Sequence, residues 1–169
     1  HAAVMLSAFE RADQEWPWCS ARDWTLCYGP RHQDLLKAID WALGRDGDLA
    51  LGLRLTCLAI PLWDQLCLTQ ESLSRLRLAL DLTGGRPAPE AVLRVKLQTA
   101  YAGGLTLSDR LGPEVEAAWR DALRMARRAQ SRDGELGALV GLTSLLCLTG
   151  RHRQALTTLE AFTTLTEQQ

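Results

Sequence analysis

The chain has 169 residues, 47% hydrophobic and 23% charged, with a formal net charge of −1. That length suits one domain of ordinary soluble composition, large enough to bury a core without staples. So small a net charge supplies no global attraction to nucleic acid or to an anionic membrane.

The longest apolar stretch, Leu55 to Leu68, is broken by Pro61 and also holds Thr56, Asp64 and Gln65. It falls far short of the ~20 apolar residues a membrane span requires. No cationic stretch precedes an apolar run at the start, so no leader is read there. The first residue is His1 rather than Met, which is read as a piece of a longer protein, with His1 either native or left from a tag. Cysteines stand at 19, 27, 57, 67 and 147. Their number is odd, no CxxC occurs, and most have apolar neighbours. They are read as buried thiols in a reducing cytoplasm, not as disulfides or a zinc site.

In chain order, Ala2 to Trp16 forms a first helix, with Val4, Met5, Ala8, Phe9 and Ala12 on one face. Pro17 stops it. A short helix follows near Arg22 to Tyr28, then a Gly29-Pro30 break. The next helix spans His32 to Leu43 and ends at Gly44. Asp48 caps another that runs to Leu66, continuous but kinked at Pro61. Leu73, Leu76, Ala79 and Leu80 mark the following helix, ending at Gly84-Gly85. Arg86-Pro87-Ala88-Pro89 is read as a rigid connector. Pro89 and Glu90 open a helix expected to stop at Gly103-Gly104, with Leu105 to Gly112 as a longer loop. Pro113 and Glu114 begin a helix to Gln130. Asp133 is expected to cap one to Leu148, Gly150 turns the chain, and Arg151 to Thr166 forms the last. No strand pattern survives.

The fold class expected is therefore all-α, with about eight helices. Leu53-Arg54-Leu55 and Leu93-Arg94-Val95 recur at an offset that suggests an internal repeat. Three hairpins follow, over 48–83, 89–130 and 133–166. Each is too small to bury its own face, so stacking must supply the core, as in tetratricopeptide-like arrays. In the last hairpin Leu139, Leu142 and Leu146 line one helix, and Ala155 and Leu159 face back. The expected division is an N-terminal helix and Trp-rich connector over 1–30, then one continuous array over 31–169.

Several phrases carry a resemblance: Asp34-Leu35-Leu36-Lys37-Ala38-Ile39-Asp40-Trp41-Ala42-Leu43, then Gly47-Asp48, Gly52-Leu53-Arg54-Leu55 and Pro61-Leu62-Trp63. Together with Tyr28-Gly29, Glu116-Ala117-Ala118-Trp119 and Ala122-Leu123, they resemble the helical region of bacterial predicted ATPases of the signal-transduction type fused to a winged helix. These are tetratricopeptide-containing transcriptional regulators. The likeness covers Arg22 to the C-terminus and rests mostly on packing residues. It implies a sensor or interaction region. The chain has no GxxxxGK[ST] loop and no basic recognition helix, so nucleotide and DNA binding would lie in other parts of such a protein.

Candidate sites are few. His32, His152 and Cys147 are far apart and in no ligand spacing, and no catalytic triad is supported. Arg120, Arg124, Arg127 and Arg128, with Arg132, form a basic ridge that could meet an acidic or phosphorylated partner. The reading preferred is a solvated face paired with Glu116 and Asp121. Arg54, Asp64, Arg94, Tyr101 and Ser144 are candidates for a concave groove holding a peptide or small effector. The reading preferred is ordinary half-exposed helix residues. Trp41, Trp63 and Trp119 are expected in the core. Trp16, Trp18 and Trp24 make either a docking surface or a small N-terminal core.

The expectation is a cytoplasmic, non-catalytic module, without cofactor or metal, that senses a ligand or binds a protein for a transcriptional regulator. Its partners would be the regulator's other domains and a peptide, protein or small effector, with no direct DNA or membrane contact. Self-association is left open. The alternative is a structural dimerisation or docking domain with no small-molecule ligand.

Overall fold

The computed structural model describes residues 1–84, 91–108 and 111–167. Among them the chain is all-α and contains no strand. The helices are α1 (Ala2–Glu15), α2 (Ala21–Tyr28), α3 (His32–Ala42), α4 (Leu49–Gln65), α5 (Thr69–Leu82), α6 (Ala91–Leu107), α7 (Pro113–Arg128), α8 (Arg132–Leu148) and α9 (His152–Glu167). They form antiparallel hairpins grouped in two compact units, residues 1–84 and 85–169. No helix among the described residues is long and apolar enough to cross a membrane.

Three connections share one turn. Cys67, Gln130 and Gly150 take positive φ values of 54°, 51° and 71°. The next N–H then donates to the carbonyl five residues back: Leu68 to Trp63 at 2.9 Å, Ser131 to Ala126 at 3.0 Å and Arg151 to Leu146 at 2.8 Å. This is the left-handed helix stop that satisfies orphan carbonyls. It closes α4–α5, α7–α8 and α8–α9, so the repeat is visible in the backbone even where the letters differ.

Local chemistry sets four of the helix starts. The Asp48 carboxylate accepts from Leu51 N at 3.1 Å, and Ser20 Oγ accepts from Asp23 N at 3.1 Å. Pro113, Glu114 and Glu116 open α7, and Arg127 and Arg128 close it, each charge matched to the helix dipole. Ser131, not Asp133, caps α8, its hydroxyl accepting from Gly134 N at 3.3 Å. The left-handed Gln130 leaves Ser131 extended, which puts its side chain at the cap position. Pro61 sits inside an uninterrupted α4.

The expected stop at Gly103-Gly104 does not occur, because α6 continues to Leu107. The expected loop from Leu105 is therefore helical over its first three residues. Both glycines lie inside the helix, and a Cβ on Gly103 would meet the Trp119 ring only at 4.0 Å, an ordinary contact. The helix start read at Pro89-Glu90 and the connector over 86–89 lie outside the described residues.

In the first unit α4 lies at the centre, touching α1, α2, α3 and α5. Leu53, Leu55, Ala59, Leu62 and Trp63 are buried there, against Phe9, Leu35, Ile39 and Leu76. Each large apolar side chain so buried contributes about 1.5–3 kcal/mol before entropy is counted. Of the two readings for the N-terminal tryptophans, the small core describes Trp24 and Trp16. The Trp24 indole N–H donates to the Ala12 carbonyl at 2.8 Å, and the Trp16 ring meets it edge-on at 4.8 Å. Tyr28 stacks alongside and donates its hydroxyl to the Glu15 carboxylate at 2.7 Å. Burial raises its pKa above the ordinary tyrosine value. Trp18, by contrast, is 88% exposed.

In the second unit α6 through α9 pack in sequence, and α6 also touches α8. Ala102, Val115, Ala118, Trp119, Leu142, Leu145, Leu146 and Ala155 make its core, with Tyr101 and Leu105 packed against them. The run of small residues Ala118, Ala122 and Ala126 on α7 is buried, which lets neighbouring helices approach. Leu159 does not face back as expected. It is 48% exposed, since Ala155 is the one residue of α9 fully covered by α8. The cysteines also correct their reading. No disulfide forms among the described residues, but Cys19, Cys27, Cys67 and Cys147 are exposed and Cys57 is half-buried. Apolar neighbours in sequence fall on other helix faces, so they do not report the burial of the residue between them.

Candidate functional site

The structure does not place Trp41 in the core. The residue is 56% exposed and forms one wall of a cleft in the first unit. The cleft has a volume of about 500 Å³, within the range of small-ligand pockets. Lys37, Ala38 and Trp41 of α3 face His1, Ala2 and Ala3 at the start of α1, and Leu51 of α4 completes it.

The local sequence explains why the wall holds its shape. Lys37 and Trp41 stand four residues apart and so share a helix face. The end of α3 is locked by the turn that follows it. Gly44 N donates to the Trp41 carbonyl at 3.1 Å, and Gly47 packs so closely that a Cβ would sit 2.2 Å from that oxygen. Ala38 and Leu51 contribute apolar floor. At the rim, His1 Nε2 lies 3.2 Å from the Asp34 carbonyl, and Lys37 Nζ lies 3.7 Å from Asp34 Oδ1. Both partners of that ion pair are mostly exposed, so it holds the ammonium weakly. The arrangement offers an aromatic face, an apolar floor and one cation. It can take a flat apolar body carrying a single negative group.

Elsewhere in the first unit polar groups link α3 to α5. Arg75 grips Asp40 with two bonds of 2.9 and 2.8 Å and also reaches Glu71 at 3.6 Å. His32 is buried, with Nε2 3.3 Å from Glu71. These groups hold the two helices in register.

The predicted groove residues are divided between the units. Arg54 and Asp64 belong to the first; Arg94, Tyr101 and Ser144 belong to the second. Arg54 is turned to α1, where it pairs with Glu10. Asp64 stands in the last turn of α4, where desolvation raises its carboxyl pKa. Tyr101 packs on the second unit's core. Ser144 bonds back to the Val140 carbonyl at 2.9 Å. Arg94 is half-buried in α6, its Nε sealed from solvent with no hydrogen-bond partner among the described residues.

Three of the four ridge arginines are engaged. Arg120 donates to Glu116 at 3.0 Å, Arg124 pairs with Asp121, and Arg127 donates to Glu135 at 2.7 Å. Glu116 also accepts from Arg151 in the turn before α9, and these two hydrogen-bonded guanidiniums hold its carboxyl below the ordinary range. Arg128 makes no ion pair among the described residues. His152 and Cys147 are both exposed, near the α8–α9 turn. No group of three or more His, Cys, Asp or Glu able to hold a metal exists among the described residues.

Sequence reasoning missed the cleft. Its one usable signal was Lys37 four residues before Trp41. The Leu35, Leu36 and Ile39 periodicity that made α3 legible could not say which edge of that stripe is left open. Compared with protein-family models, with curated proteins and with solved structures, the chain has no match.

Proposed function

We propose that this chain is a non-catalytic, ligand-sensing or protein-interaction module of a bacterial transcriptional regulator, and that its small effector binds beside Trp41. The exposed indole over an apolar cleft carries the reading, since a tryptophan left in water costs burial energy unless something covers it. The regulator assignment rests on the sequence resemblance. The effector class follows from the wall: an aromatic or alicyclic body against Trp41 and a carboxylate toward Lys37. Such a ligand acts as a signal by binding one arrangement of the surrounding protein better than another.

Calorimetric titration with aromatic carboxylates, indole-3-acetate among them, tests it. Saturable binding is expected, lost in Trp41→Ala and weakened about two- to five-fold in Lys37→Gln, as for an exposed charge contact of ~0.5–1 kcal/mol. Binding that is indifferent to Trp41→Ala, or absent at millimolar ligand, refutes the proposal.

A docking role without ligand is favoured by a different observation, the exposure of Trp18 and Leu26 in the first unit. Sedimentation across concentration separates it: self-association abolished by Trp18→Ser supports it, and a monomer at high concentration removes it.

A further inference from the structure

The structure brings together two arginines that the sequence assigned to different features. Arg94 of α6 and Arg128 at the end of α7 line one cavity of about 180 Å³, floored by Ala91, Met125 and Ala129. We propose that this cavity binds a phosphate-sized oxyanion, either free or as the end group of a larger molecule. The inference is independent of the Trp41 cleft, which lies in the other unit.

Three observations lead there. Neither guanidinium pairs with a carboxylate among the described residues, while three acids of α7 and α8 are taken by other arginines. Glu116 is held by Arg120 and Arg151, Asp121 by Arg124 and Glu135 by Arg127. The Arg94 Nε is sealed from solvent without a partner among the described residues, so this cation is partly desolvated. A buried charge-bearing donor left in that state is costly, and a bound anion would offset it. The volume is the third. At about 180 Å³ the cavity is smaller than the pockets that enclose whole ligands, so it fits an anionic group.

Two guanidinium forks favour phosphate over a lone carboxylate. Each fork can donate paired N–H bonds, and a tetrahedral dianion has oxygens enough for both. Apolar Met125 and the two alanines exclude water from one side, which strengthens the attraction.

The test is amide and guanidinium NMR on the whole chain, titrated at constant ionic strength with inorganic phosphate, with phenyl phosphate and with acetate. Saturable shifts in residues 91–95 and 125–129 are expected. Phosphate should bind at least ten-fold tighter than acetate, and phenyl phosphate at least as tightly as phosphate if the group belongs to a larger ligand. Arg128→Met should weaken phosphate ten-fold or more. Arg94→Met should do the same, and Arg128→Met keeps the test decisive if that variant fails to fold. Arg124→Met, which removes an already paired neighbour, should leave binding unchanged. Equal weak shifts with all three anions, or phosphate binding that survives Arg128→Met, overturn the proposal.

Discussion

Two glycines face the same tryptophan, and alanine should act oppositely at them. The Trp119 indole, 6% exposed, lies between α6 and α8. Its N–H donates to Thr106 Oγ1 at 2.9 Å, and that hydroxyl donates to the Ala102 carbonyl at 2.8 Å. The ring is thus anchored on the α6 side. On the α8 side it rests on bare backbone: a Cβ at Gly141 would fall 2.2 to 2.4 Å from three ring carbons. At Gly103 the nearest ring carbon would be 4.0 Å away, an ordinary contact. Both glycines are inside helices, so alanine gains about 1 kcal/mol of helix propensity at each. Gly103→Ala should keep most of that gain. Gly141→Ala adds about 1–3 kcal/mol of overpacking, because an anchored ring must shift or lose its hydrogen bond, and the net is a loss of up to ~2 kcal/mol. Urea unfolding followed by circular dichroism measures both. Trp119→Leu should be costly alone, yet Gly141→Ala should cost little in that background, giving a coupling energy of about 1 kcal/mol or more. If Gly141→Ala is as stable as Gly103→Ala, the ring does not sit on Gly141 and the account of this core is wrong.

Other outcomes follow from the same geometry. Cys67→Gly and Gln130→Gly should each stabilise the chain by about 0.5–1 kcal/mol by relieving a left-handed side-chain clash, while Gly150→Ala should cost about 1 kcal/mol although nothing lies within 4 Å of its Cβ. Thermal unfolding reads all three, and a neutral Gly150→Ala would disprove the turn argument. Gly47→Ala should cost about 3 kcal/mol or more, since its Cβ would strike the Trp41 and Ala42 carbonyls, and it should displace the cleft wall. Glu116→Gln should lower stability at neutral pH by less than about 1 kcal/mol. Because the Glu116 pKa is depressed in the fold, its contribution is present above the ordinary glutamate value of about 4.3 and lost as pH falls through the lower folded value. Wild type and variant should therefore converge in acid, and a gap that persists there would rule out the Arg120 and Arg151 contacts as its source.

How much was legible depended on how local the cause was. Asp48 as a cap, Pro113 and Glu114 as a helix start and Gly150 as a turn each act within a few residues, so spacing alone exposes them. The stripes of Leu35, Leu36 and Ile39, and of Leu139, Leu142 and Leu146, likewise declare helices and a buried face. Gly103-Gly104 misled because a glycine pair permits a break without requiring one, and here α6 runs through it while packing on α7. Cys67 and Gln130 carry no letter that marks a left-handed residue, so the helix ends near them were read but the turn that makes them was not.

Side-chain chemistry and its spacing alone determined that this chain is helical and that its helices pair in hairpins. Tertiary packing decided which residues face water. It left Trp41 open while burying Trp24, and it matched three arginines to acids while bringing Arg94 and Arg128 to one cavity. Those outcomes depend on contacts between helices distant in sequence, and an amphipathic stripe specifies that a face is covered without specifying by what.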